Sequence, residues 1–595
     1  KKKKKIYRIF TFYSFMAPPV RPATMYFCRS HWRGYKRIEC KNSIYCFFFS
    51  SLNRNALLRY SGFFYALNGI AISLKDVKIF FDTLFAGVSM KSEGEKYILA
   101  LDQGTTTSRA ILFDHNAKIL CSLNEEFPQY YPQQGWVEHD AMEIFSSQLN
   151  VMKKTIEKAQ ISPSQIAAIG ITNQRETVVL WDKNTGEPVH NAIVWQCRRT
   201  APLCEQLIKR GLNEVITEKT GLLIDAYFSA PKIKWMLDNN PSLRPRAERG
   251  EILAGTIDTW LIWKLSGGKC HVTDVTNASR TMLYNIYVHD WDKDLLNLFD
   301  IPRSMLASVC DSSMVYCNTD EKVCGFSIPI ASAIGDQQAS LFGQGCHNPG
   351  EAKTTYGTGC FMLMNTGSKP VISKNRLLTT IALGLNGEVQ YALEGSVFMG
   401  GAVIKWLRDE LELISTAAEC DVLAESVPNS NGAFLVPAFT GLGTPYWDMY
   451  ARGTIVGLTR GVKKAHICRA ALDAIAFQVK DIITCMIDDS GTPLSSFKVD
   501  GGACVSDVMM QFQSDILDAA VFRPKNVETT ALGAAFLAGL AVGFWNGPEE
   551  LFDCWQLDKM FTPKMPITDR NSLYKQWQKA VERSRKWAEM EAPYI

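Results

Sequence analysis

Short apolar runs separated by small polar residues set the pattern of the chain from residue 97 onward. Residues 98–101 and 110–113 are hydrophobic, and the segment between them reads Asp-Gln-Gly-Thr-Thr-Thr-Ser. Apolar runs of this length around a turn segment are typical of buried strands, so the pattern predicts a β-hairpin. A similar pattern surrounds Tyr356-Gly-Thr-Gly-Cys360 much later in the chain. Two such hairpins, each opening one half of the chain, predict a duplicated fold.

The tip of the first hairpin has the composition of an anion-binding loop. Gly104 lets the backbone approach a phosphate closely, and the three threonines that follow it supply hydrogen-bond donors. Arg109 adds a fixed positive charge, and Asp102 is suited to hold Mg²⁺, usually through water. A plain hairpin turn is the alternative for either copy alone. The repetition of the pattern favours two loops that bind one nucleotide.

Polar clusters directly follow two predicted strands. The apolar run 166–171 leads into Thr-Asn-Gln-Arg175-Glu176-Thr, and the run 328–334 leads into Gly-Asp336-Gln-Gln. Ligands of α/β sheets bind at the carboxyl ends of strands, so both clusters are candidate sites. Arg175 and Glu176 suit a polyhydroxyl substrate, and Asp336 suits a general base or a water-mediated metal contact. A solvated strand end and a helix N-cap are the respective alternatives.

Paired glycines recur where a predicted strand passes into a helix. They stand at Gly400-Gly401 and Gly501-Gly502, and such backbone would let an adenine ring lie flat against it. Either pair alone is weak evidence, but together with the hairpins they predict a nucleotide held between two domains. Trp195 and Tyr227 belong to aromatic sets with near-helical spacing. They are interpreted either as core or as apolar walls beside a carbon skeleton.

Composition narrows the class of protein further. The chain has 595 residues, 47% hydrophobic and 21% charged, as in an ordinary globular protein of two large domains. Its net charge of +4 is unevenly distributed: residues 1–89 hold sixteen Lys and Arg against three Asp and Glu, whereas the rest holds 48 against 57. A mildly acidic main part argues against a nucleic-acid partner. The seventeen cysteines lack metal-site spacing and predict free thiols in a reducing compartment.

The first 89 residues differ from the rest in being basic, rich in Phe and Tyr, and without sustained periodicity. They are interpreted as a disordered leader or as an upstream extension, with Met90 placed as an initiator would be. A mitochondrial transit sequence is the alternative. The apolar stretch 61–74 is shorter than a membrane-spanning helix, so we expect no firm membrane anchor and a cytoplasmic location.

Six motifs follow one another along residues 95–590. They are Leu101-Asp-Gln-Gly-Thr-Thr106, Gly170-Ile-Thr-Asn-Gln-Arg-Glu-Thr177, Asn191-Ala-Ile-Val-Trp-Gln-Cys-Arg198, Gly335-Asp-Gln-Gln338, Tyr356-Gly-Thr-Gly-Cys-Phe361 and Val499-Asp-Gly-Gly502. In this order they resemble the FGGY carbohydrate kinase family, and within it the members that phosphorylate glycerol. The resemblance implies an α/β fold of two actin/Hsp70/hexokinase-like (ribonuclease H-like) domains with the active site in the cleft between them.

The same resemblance divides the chain into a leader, residues 1–94, and two kinase domains. The first, residues 95–350, would bind the substrate and the phosphates, and the second, residues 351–595, would bind the nucleotide. The implied reaction converts ATP and glycerol into ADP and sn-glycerol 3-phosphate with Mg²⁺, in a homo-oligomer that is a dimer or a tetramer. Closure of the two domains would exclude water and limit wasteful ATP hydrolysis.

The resemblance also assigns individual residues. Asp336 would be the general base, and Asp102 and Asp336 would position the metal. The residues that would hold glycerol are Arg175, Glu176, Trp195, Tyr227, Asp336, Gln337 and Phe361. Those that would contact the nucleotide are Thr105, Thr106, Thr107, Arg109, Thr358, Gly401, Gly502, Ala503 and Ser506.

Two departures from the family pattern affect these expectations. Ser506 stands where relatives often carry Asn, and its shorter side chain is expected to weaken nucleotide contacts without abolishing them. Residues 318–328 lack the glycine-rich, arginine-containing loop with which bacterial members bind fructose 1,6-bisphosphate, so inhibition by that compound is not expected. Two alternatives stay open: an FGGY kinase acting on a pentulose or gluconate, and a non-catalytic nucleotide-binding scaffold.

Overall fold

The computed structural model describes residues 95–588 and two short strands before them, β1 (Ile38–Glu39) and β2 (Tyr45–Cys46), which pair with each other. Apart from these strands, residues 1–94, including the apolar stretch 61–74, lie outside the described part of the chain, and so do the expectations that concern them. No helix of the described part is long and apolar enough to cross a membrane.

Residues 95–350, which we call the first half, contain fourteen strands, ten helices and two 3₁₀ turns. The strands are β3 (Tyr97–Gln103), β4 (Thr107–Phe113), β5 (Ile119–Glu126), β6 (Glu138–His139), β7 (Ile166–Asn173), β8 (Val178–Asp182), β9 (Ala192–Ile193), β10 (Ile252–Thr256), β11 (Val272–Asp274), β12 (Tyr284–Asn285), β13 (Asp290–Trp291), β14 (Ser308–Cys310), β15 (Ser313–Asn318) and β16 (Pro329–Gly335). The helices are α1 (Ala141–Lys158), α2 (Ala201–Lys209), α3 (Asn213–Thr220), α4 (Ser229–Asn239), α5 (Leu243–Glu248), α6 (Ile257–Leu265), α7 (Val275–Ala278), α8 (Lys293–Phe299), α9 (Glu321–Cys324) and α10 (Asp336–Gly343).

The second half contains nine strands and seven helices in its described part. The strands are β17 (Glu351–Tyr356), β18 (Cys360–Gly367), β19 (Leu378–Leu385), β20 (Glu388–Val397), β21 (Phe434–Val436), β22 (Thr454–Val456), β23 (Ser496–Asp500), β24 (Val521–Pro524) and β25 (Leu557–Phe561). The helices are α11 (Ala402–Asp409), α12 (Ala417–Glu425), α13 (Lys464–Ser490), α14 (Asp507–Leu517), α15 (Thr529–Ala541), α16 (Pro548–Cys554) and α17 (Ile567–Ser584).

The main sheets of the two halves repeat one arrangement. The first has the order β15-β16-β7-β3-β4-β5, and the second has the order β19-β20-β18-β17-β23-β24-β25. In each, an antiparallel hairpin (β3–β4 or β17–β18) continues into parallel strands on its other side (β7 and β16, or β23 and β24). Both predicted hairpins and the predicted duplication are therefore present.

The first sheet is buried on both faces, which explains its apolar runs. Side chains alternate across a strand, so Leu99 and Leu101 of β3 join a core with α1 and α6, while Ile98 and Ala100 join another. That other core includes residues 531–538 of α15, although this helix belongs to the second half of the chain. Helices α10 and α15 pack against each other on this face, so the two halves share one layer.

The C-terminal helix is shorter than the sequence pattern indicated. The charged pattern from Asp569 to Glu591 predicts an amphipathic surface helix over that range, whereas α17 ends at Ser584. After it the chain turns back, because the N–H groups of Lys586 and Ala588 donate to Asp448 Oδ2 and to the Tyr450 carbonyl, both at 3.0 Å. These contacts compete with continuation of the helix.

Candidate active site

Three neighbouring parallel strands end at one edge of the first sheet, and each delivers a predicted site residue there. Strand β3 carries Asp102 near its end, β7 leads into Arg175 and Glu176, and β16 leads into Asp336. In register, Asp102 faces Thr172 of β7, and Gly335 faces Asn173. We call Asp102, Arg175, Glu176 and Asp336 the first-sheet edge. The structure thus brings both predicted polar clusters and Asp102 to the ends of neighbouring strands, and their role as a ligand site stays a prediction.

Asp336 is the first residue of α10, and Gly335 is the N-cap, so the N-cap alternative for Asp336 is wrong. Its Oδ1 accepts the backbone N–H of Gln337 at 2.7 Å and lies 3.1 Å from Arg175 Nε. The Asp336 side chain is 32% exposed, whereas that of Arg175 is 2% exposed. Within the described residues, the other carboxylate oxygen of Asp336, Oδ2, has no hydrogen-bond partner.

Asp102 lies opposite Arg109 in the register of the first hairpin. Burial raises the pKa of the Asp102 carboxyl to about 6, Arg109 opposes this shift, and the charges of Asp336 and Glu528 add to it. Two carboxylates that disfavour each other's charge are a suitable pair for a divalent cation. Among residues 95–588, no group of three or more His, Cys, Asp or Glu could hold a metal by itself. Mg²⁺ commonly takes one or two carboxylates and completes its shell with phosphates and water, so the donor set fits Mg²⁺ bound with a nucleotide.

The tip of the first hairpin contacts Trp195, one of the two aromatic residues predicted to line the substrate site. Gly104 N–H donates to the Thr107 carbonyl at 2.9 Å, which closes a tight turn around Thr105 and Thr106. The Trp195 indole donates to Thr105 Oγ1 at 3.0 Å, and the Trp195 ring meets the Tyr227 ring edge to face at 5.6 Å. Trp195 and Tyr227 are thus a half-buried pair beside the tip, and Tyr227 also packs against the core of the first half.

Arg109 has a partner from the other half of the chain. Its guanidinium forms a hydrogen-bonded ion pair with Glu528, the residue before α15. Both side chains are about one-third exposed. Arg109, the predicted phosphate-binding arginine, therefore lies beside the first hairpin tip, where its guanidinium is already paired with the Glu528 carboxylate.

Gln337 follows Asp336 on α10 and is hydrogen-bonded to a lysine of the second half. Gln337 Oε1 accepts Lys353 Nζ at 2.6 Å, and the same ammonium donates to Thr355 Oγ1 at 2.9 Å. Phe361 lies on β18, in register with Thr355, and is half-buried. The hydrogen bond from Lys353 leaves the amide nitrogen of Gln337 as its free donor group.

The second hairpin packs against both pairs of glycines. We call residues 357–359, 400–401 and 501–503 the glycine surface. Gly401 N–H donates to the Gly357 carbonyl, and Gly400 N–H donates to the Thr358 carbonyl, both at 2.9 Å. A Cβ on Gly401 would lie 2.8 Å from the Gly357 carbonyl oxygen and 3.9 Å from the Ala503 methyl group. The structure thus brings Thr358, Gly401 and Ala503 together.

Gly501 and Gly502 differ in their surroundings. Gly501 has a φ of +85°, and a Cβ there would lie 2.6 Å from the Tyr356 carbonyl oxygen. A Cβ on Gly502 would meet nothing within 4 Å. Gly501 therefore lies in close contact with the second hairpin, whereas Gly502 faces open space.

Ser506 is placed beside this surface, but its hydroxyl is already engaged. It caps α14 by accepting the Met509 N–H at 3.2 Å, and it donates to Asp421 Oδ1 at 2.5 Å. Between Gly501 and α14 the chain forms a 3₁₀ turn, Gly502–Val505, where the sequence pattern predicted a direct start of the helix. The contact predicted between Ser506 and the nucleotide stays a prediction.

Residues 97–343 match the FGGY family of carbohydrate kinases, N-terminal domain, and residues 352–542 match its C-terminal domain. The chain belongs to the FGGY family of carbohydrate kinases. Its two repeated sheets agree with this membership, so the predicted family and fold class are confirmed.

The relatives of this FGGY kinase align over nearly their whole length. It is 61% identical over 494 residues to the glycerol kinase of Caldanaerobacter subterraneus subsp. tengcongensis, with 83% of this chain and 99% of that protein aligned. It is 59% identical over 492 residues to glycerol kinase 2 of Thermotoga maritima, with 83% and 99% aligned.

Two solved kinase structures superpose on this chain over most of its length. Plasmodium falciparum glycerol kinase with ADP superposes with a TM-score of 0.79 at 38% identity, covering 82% of this chain and 98% of that one. Xylulose kinase from Lactobacillus acidophilus superposes with a TM-score of 0.74 at 25% identity, covering 82% and 97%.

Three buried charged residues at the site were missed by the sequence analysis: Arg280, Lys353 and Glu394. Glu394 is a lone charge in the otherwise apolar run Tyr-Ala-Leu-Glu394-Gly, and such a charge in a predicted buried strand is the signal that would have found it. Lys353 lies in the polar strand Glu-Ala-Lys-Thr-Thr-Tyr, two residues from Glu351, so the sequence offers no such signal for it.

Proposed function

We propose that this FGGY kinase transfers the γ-phosphoryl group of ATP to glycerol and releases ADP and sn-glycerol 3-phosphate. High identity to glycerol kinases over nearly their full length supports the choice of substrate. One observation carries the chemistry: Asp336 stands at the ends of three parallel strands with one oxygen held by Arg175 and Gln337 and the other free.

Asp336 is the general base in this proposal. As the glycerol C3 oxygen attacks the γ-phosphorus, its proton passes to the free oxygen of Asp336, and the bond from phosphorus to the bridging oxygen of ADP breaks. Phosphoryl transfer depends mainly on positioning and charge neutralisation, and a carboxylate within reach of the hydroxyl accepts its proton. Arg175 and the Gln337 N–H fix the direction in which this carboxylate points.

The remaining predicted substrate residues divide the recognition of a three-carbon triol. Arg175, Glu176 and Gln337 supply polar groups for hydroxyls, and Trp195, Tyr227 and Phe361 supply apolar surfaces for the carbon skeleton. The half-buried aromatic pair supports this division, because the Trp195 indole bonds Thr105 of the hairpin tip and the Trp195 ring contacts Tyr227.

Nucleotide binding is proposed for both hairpin tips and the glycine surface. The residues involved are Thr105, Thr106, Thr107, Arg109, Thr358, Gly401, Gly502 and Ala503. Ser506 contributes only weakly, because its hydroxyl is already bonded to Asp421 and Met509. Mg²⁺, when bound by Asp102 and Asp336, supplies positive charge to the phosphate oxygens. Residues 95–350 then act as the domain for substrate and phosphates, and residues 351–595 as the domain for the nucleotide.

We further propose a homo-oligomer, dimer or tetramer, that works in the cytoplasm. The cysteines of the described part of the chain are free thiols, most of them buried, which is typical of a reducing compartment. Sedimentation of the purified chain would test the oligomer.

A coupled assay of ADP release, with glycerol, xylulose and gluconate as alternative acceptors, tests the proposed function. We expect turnover with glycerol that requires both ATP and Mg²⁺. A strong preference for xylulose or gluconate would contradict glycerol as substrate, and nucleotide binding without turnover of any acceptor would favour the scaffold alternative.

A further inference from the structure

Two buried charges beside the proposed glycerol site have no role in the mechanism so far. Arg280 follows α7 in the first half of the chain, and Glu394 lies on β20 in the second half. Their side chains are 0% and 3% exposed. With Arg175 and Glu176 they form a set of two cations and two anions, which we call the buried ion quartet.

The quartet is a continuous chain of hydrogen-bonded ion pairs. Glu176 Oε1 accepts Arg280 Nε at 2.6 Å, and Arg280 Nη2 donates to Glu394 Oε1 at 3.1 Å. Arg175 grips the same Glu394 with both terminal nitrogens, at 2.5 Å and 3.0 Å. Arg175 Nε then faces Asp336 at 3.1 Å. A single carboxylate from the second half therefore connects both substrate-binding residues of the first half.

The charges make Glu394 the central member of this chain. Burial by itself would raise its pKa, but Arg175 and Arg280 outweigh that effect and hold the pKa of Glu394 below its usual range. An anion between two guanidinium groups is well compensated, whereas its removal would leave two buried cations facing each other. Bidentate pairing to a carboxylate also fixes the plane of the Arg175 guanidinium.

Glu176 shows that the quartet holds an unfavourable backbone geometry. Its φ of +60° lies in the left-handed region, which is uncommon for a residue with a side chain. The Ser229 hydroxyl donates to the Glu176 carbonyl at 3.0 Å, and Arg280 holds the Glu176 carboxylate. Strain of this kind persists where surrounding contacts over-determine a residue, and it is concentrated at functional sites.

We propose that Glu394 is a positioning residue for glycerol: it orients Arg175 directly and Glu176 through Arg280. The inference rests on the proposed function, because it assumes that Arg175 and Glu176 bind the acceptor. It adds that the acceptor site is complete only when a carboxylate of the second half engages the first half.

A purely structural brace is the competing explanation, and the two differ in what they do to the Michaelis constants. Loss of a brace lowers the stability of the whole protein and changes both constants alike or neither. Loss of a positioning contact raises the KM for glycerol and leaves the KM for ATP almost unchanged, since the glycine surface does not contact the quartet. The KM ratio therefore separates them.

The test compares Glu394→Gln and Glu394→Asp with the wild type and with Asp473→Asn. The control removes a buried carboxylate of the same half, which pairs with Arg469 at 2.7 Å on α13 and lies outside the site. We expect Glu394→Gln to raise the KM for glycerol about tenfold or more, with the KM for ATP within about twofold, because charge-assisted bonds to Arg are lost. Glu394→Asp should recover part of the loss, and Asp473→Asn should change neither constant.

Calorimetric titration of glycerol gives a second readout, and thermal unfolding reports folding. A folded Glu394→Gln variant with an unchanged KM for glycerol would overturn the positioning role while the proposed function stands. If Glu394→Gln does not fold, Glu394→Asp and Arg280→Lys decide by the same ratio. A wild type that does not phosphorylate glycerol would instead overturn the proposed function, and this inference with it.

Discussion

The first-sheet edge and the glycine surface prepare for their proposed ligands in opposite ways. The edge is built from charged side chains, most of them buried and already paired with one another, such as Arg175 with Glu394. The glycine surface is built from backbone and owes its shape to close approaches that only glycine permits, as at Gly501 beside Tyr356. A substitution at the edge should therefore change chemistry and electrostatics, whereas one on the glycine surface should change shape.

This difference matches the ligands. A small triol offers hydroxyls, which need donors and acceptors at fixed positions, and its reaction needs a base. A nucleotide offers a flat ring and a chain of phosphates, which suit exposed N–H groups and backbone without side chains. The comparison makes predictions for single residues of each region.

The largest expected effect is at Asp336. Asp336→Asn keeps the shape of the side chain but removes the proton acceptor, so kcat should fall about 10²–10⁴-fold. Nucleotide affinity should stay close to that of the wild type, because the glycine surface is unchanged. Stopped-time assays with calorimetric titration of ADP measure both quantities. Near-normal turnover together with weak nucleotide binding would contradict the base assignment and make Asp336 a residue of the nucleotide site.

Substitutions of two adjacent glycines should affect stability and nucleotide binding separately. Gly501→Ala places a methyl group against the Tyr356 carbonyl at a positive φ, so it should lower the free energy of unfolding by about 2–4 kcal/mol. Gly502→Ala meets no protein atom within 4 Å, so stability should be unchanged while the KM for ATP rises. Urea unfolding and steady-state kinetics on both variants check this. Equal effects of the two substitutions would mean that the surface is structural throughout.

Asp102 is expected to be costly for folding at neutral pH. Burial raises its pKa to about 6, so the folded state binds the extra proton and stability falls as the pH rises from the ordinary Asp value through 6. Asp102→Asn removes this cost. Relative to the wild type, the variant should gain about 1–2 kcal/mol of unfolding free energy between pH 5 and pH 7.5.

Denaturant unfolding at the two pH values, without nucleotide or Mg²⁺, measures the gain for Asp102→Asn. The variant should also need more Mg²⁺ for half-maximal activity. If the difference in stability between Asp102→Asn and the wild type did not depend on pH, the pKa of the Asp102 carboxyl would not be raised by burial.

Local patterns were sufficient for most of the fold and for the placement of the first-sheet edge. Apolar runs and glycine turns specify strands and hairpins, and strand ends specify where polar residues gather, as with Arg175 after β7. The partner of Arg175 was beyond reach, because Glu394 lies 219 residues away and only the packing of the two halves brings it near. The end of α17 could not be predicted for the same reason, because a contact with a distant residue, Lys586 with Asp448, follows the helix.

The smallest effect is expected at Ser506, which lies beside the glycine surface. The sequence predicts a nucleotide contact, but the structure engages the hydroxyl with Met509 and Asp421. Ser506→Ala should therefore cost about 0.5–1 kcal/mol of unfolding free energy through the lost helix cap. The KM for ATP should change less than about threefold, because the nucleotide loses no donor that was free to bind it. Parallel unfolding and kinetic measurements distinguish the roles: a tenfold rise in the KM for ATP at unchanged stability would show instead that the Ser506 hydroxyl binds the nucleotide directly.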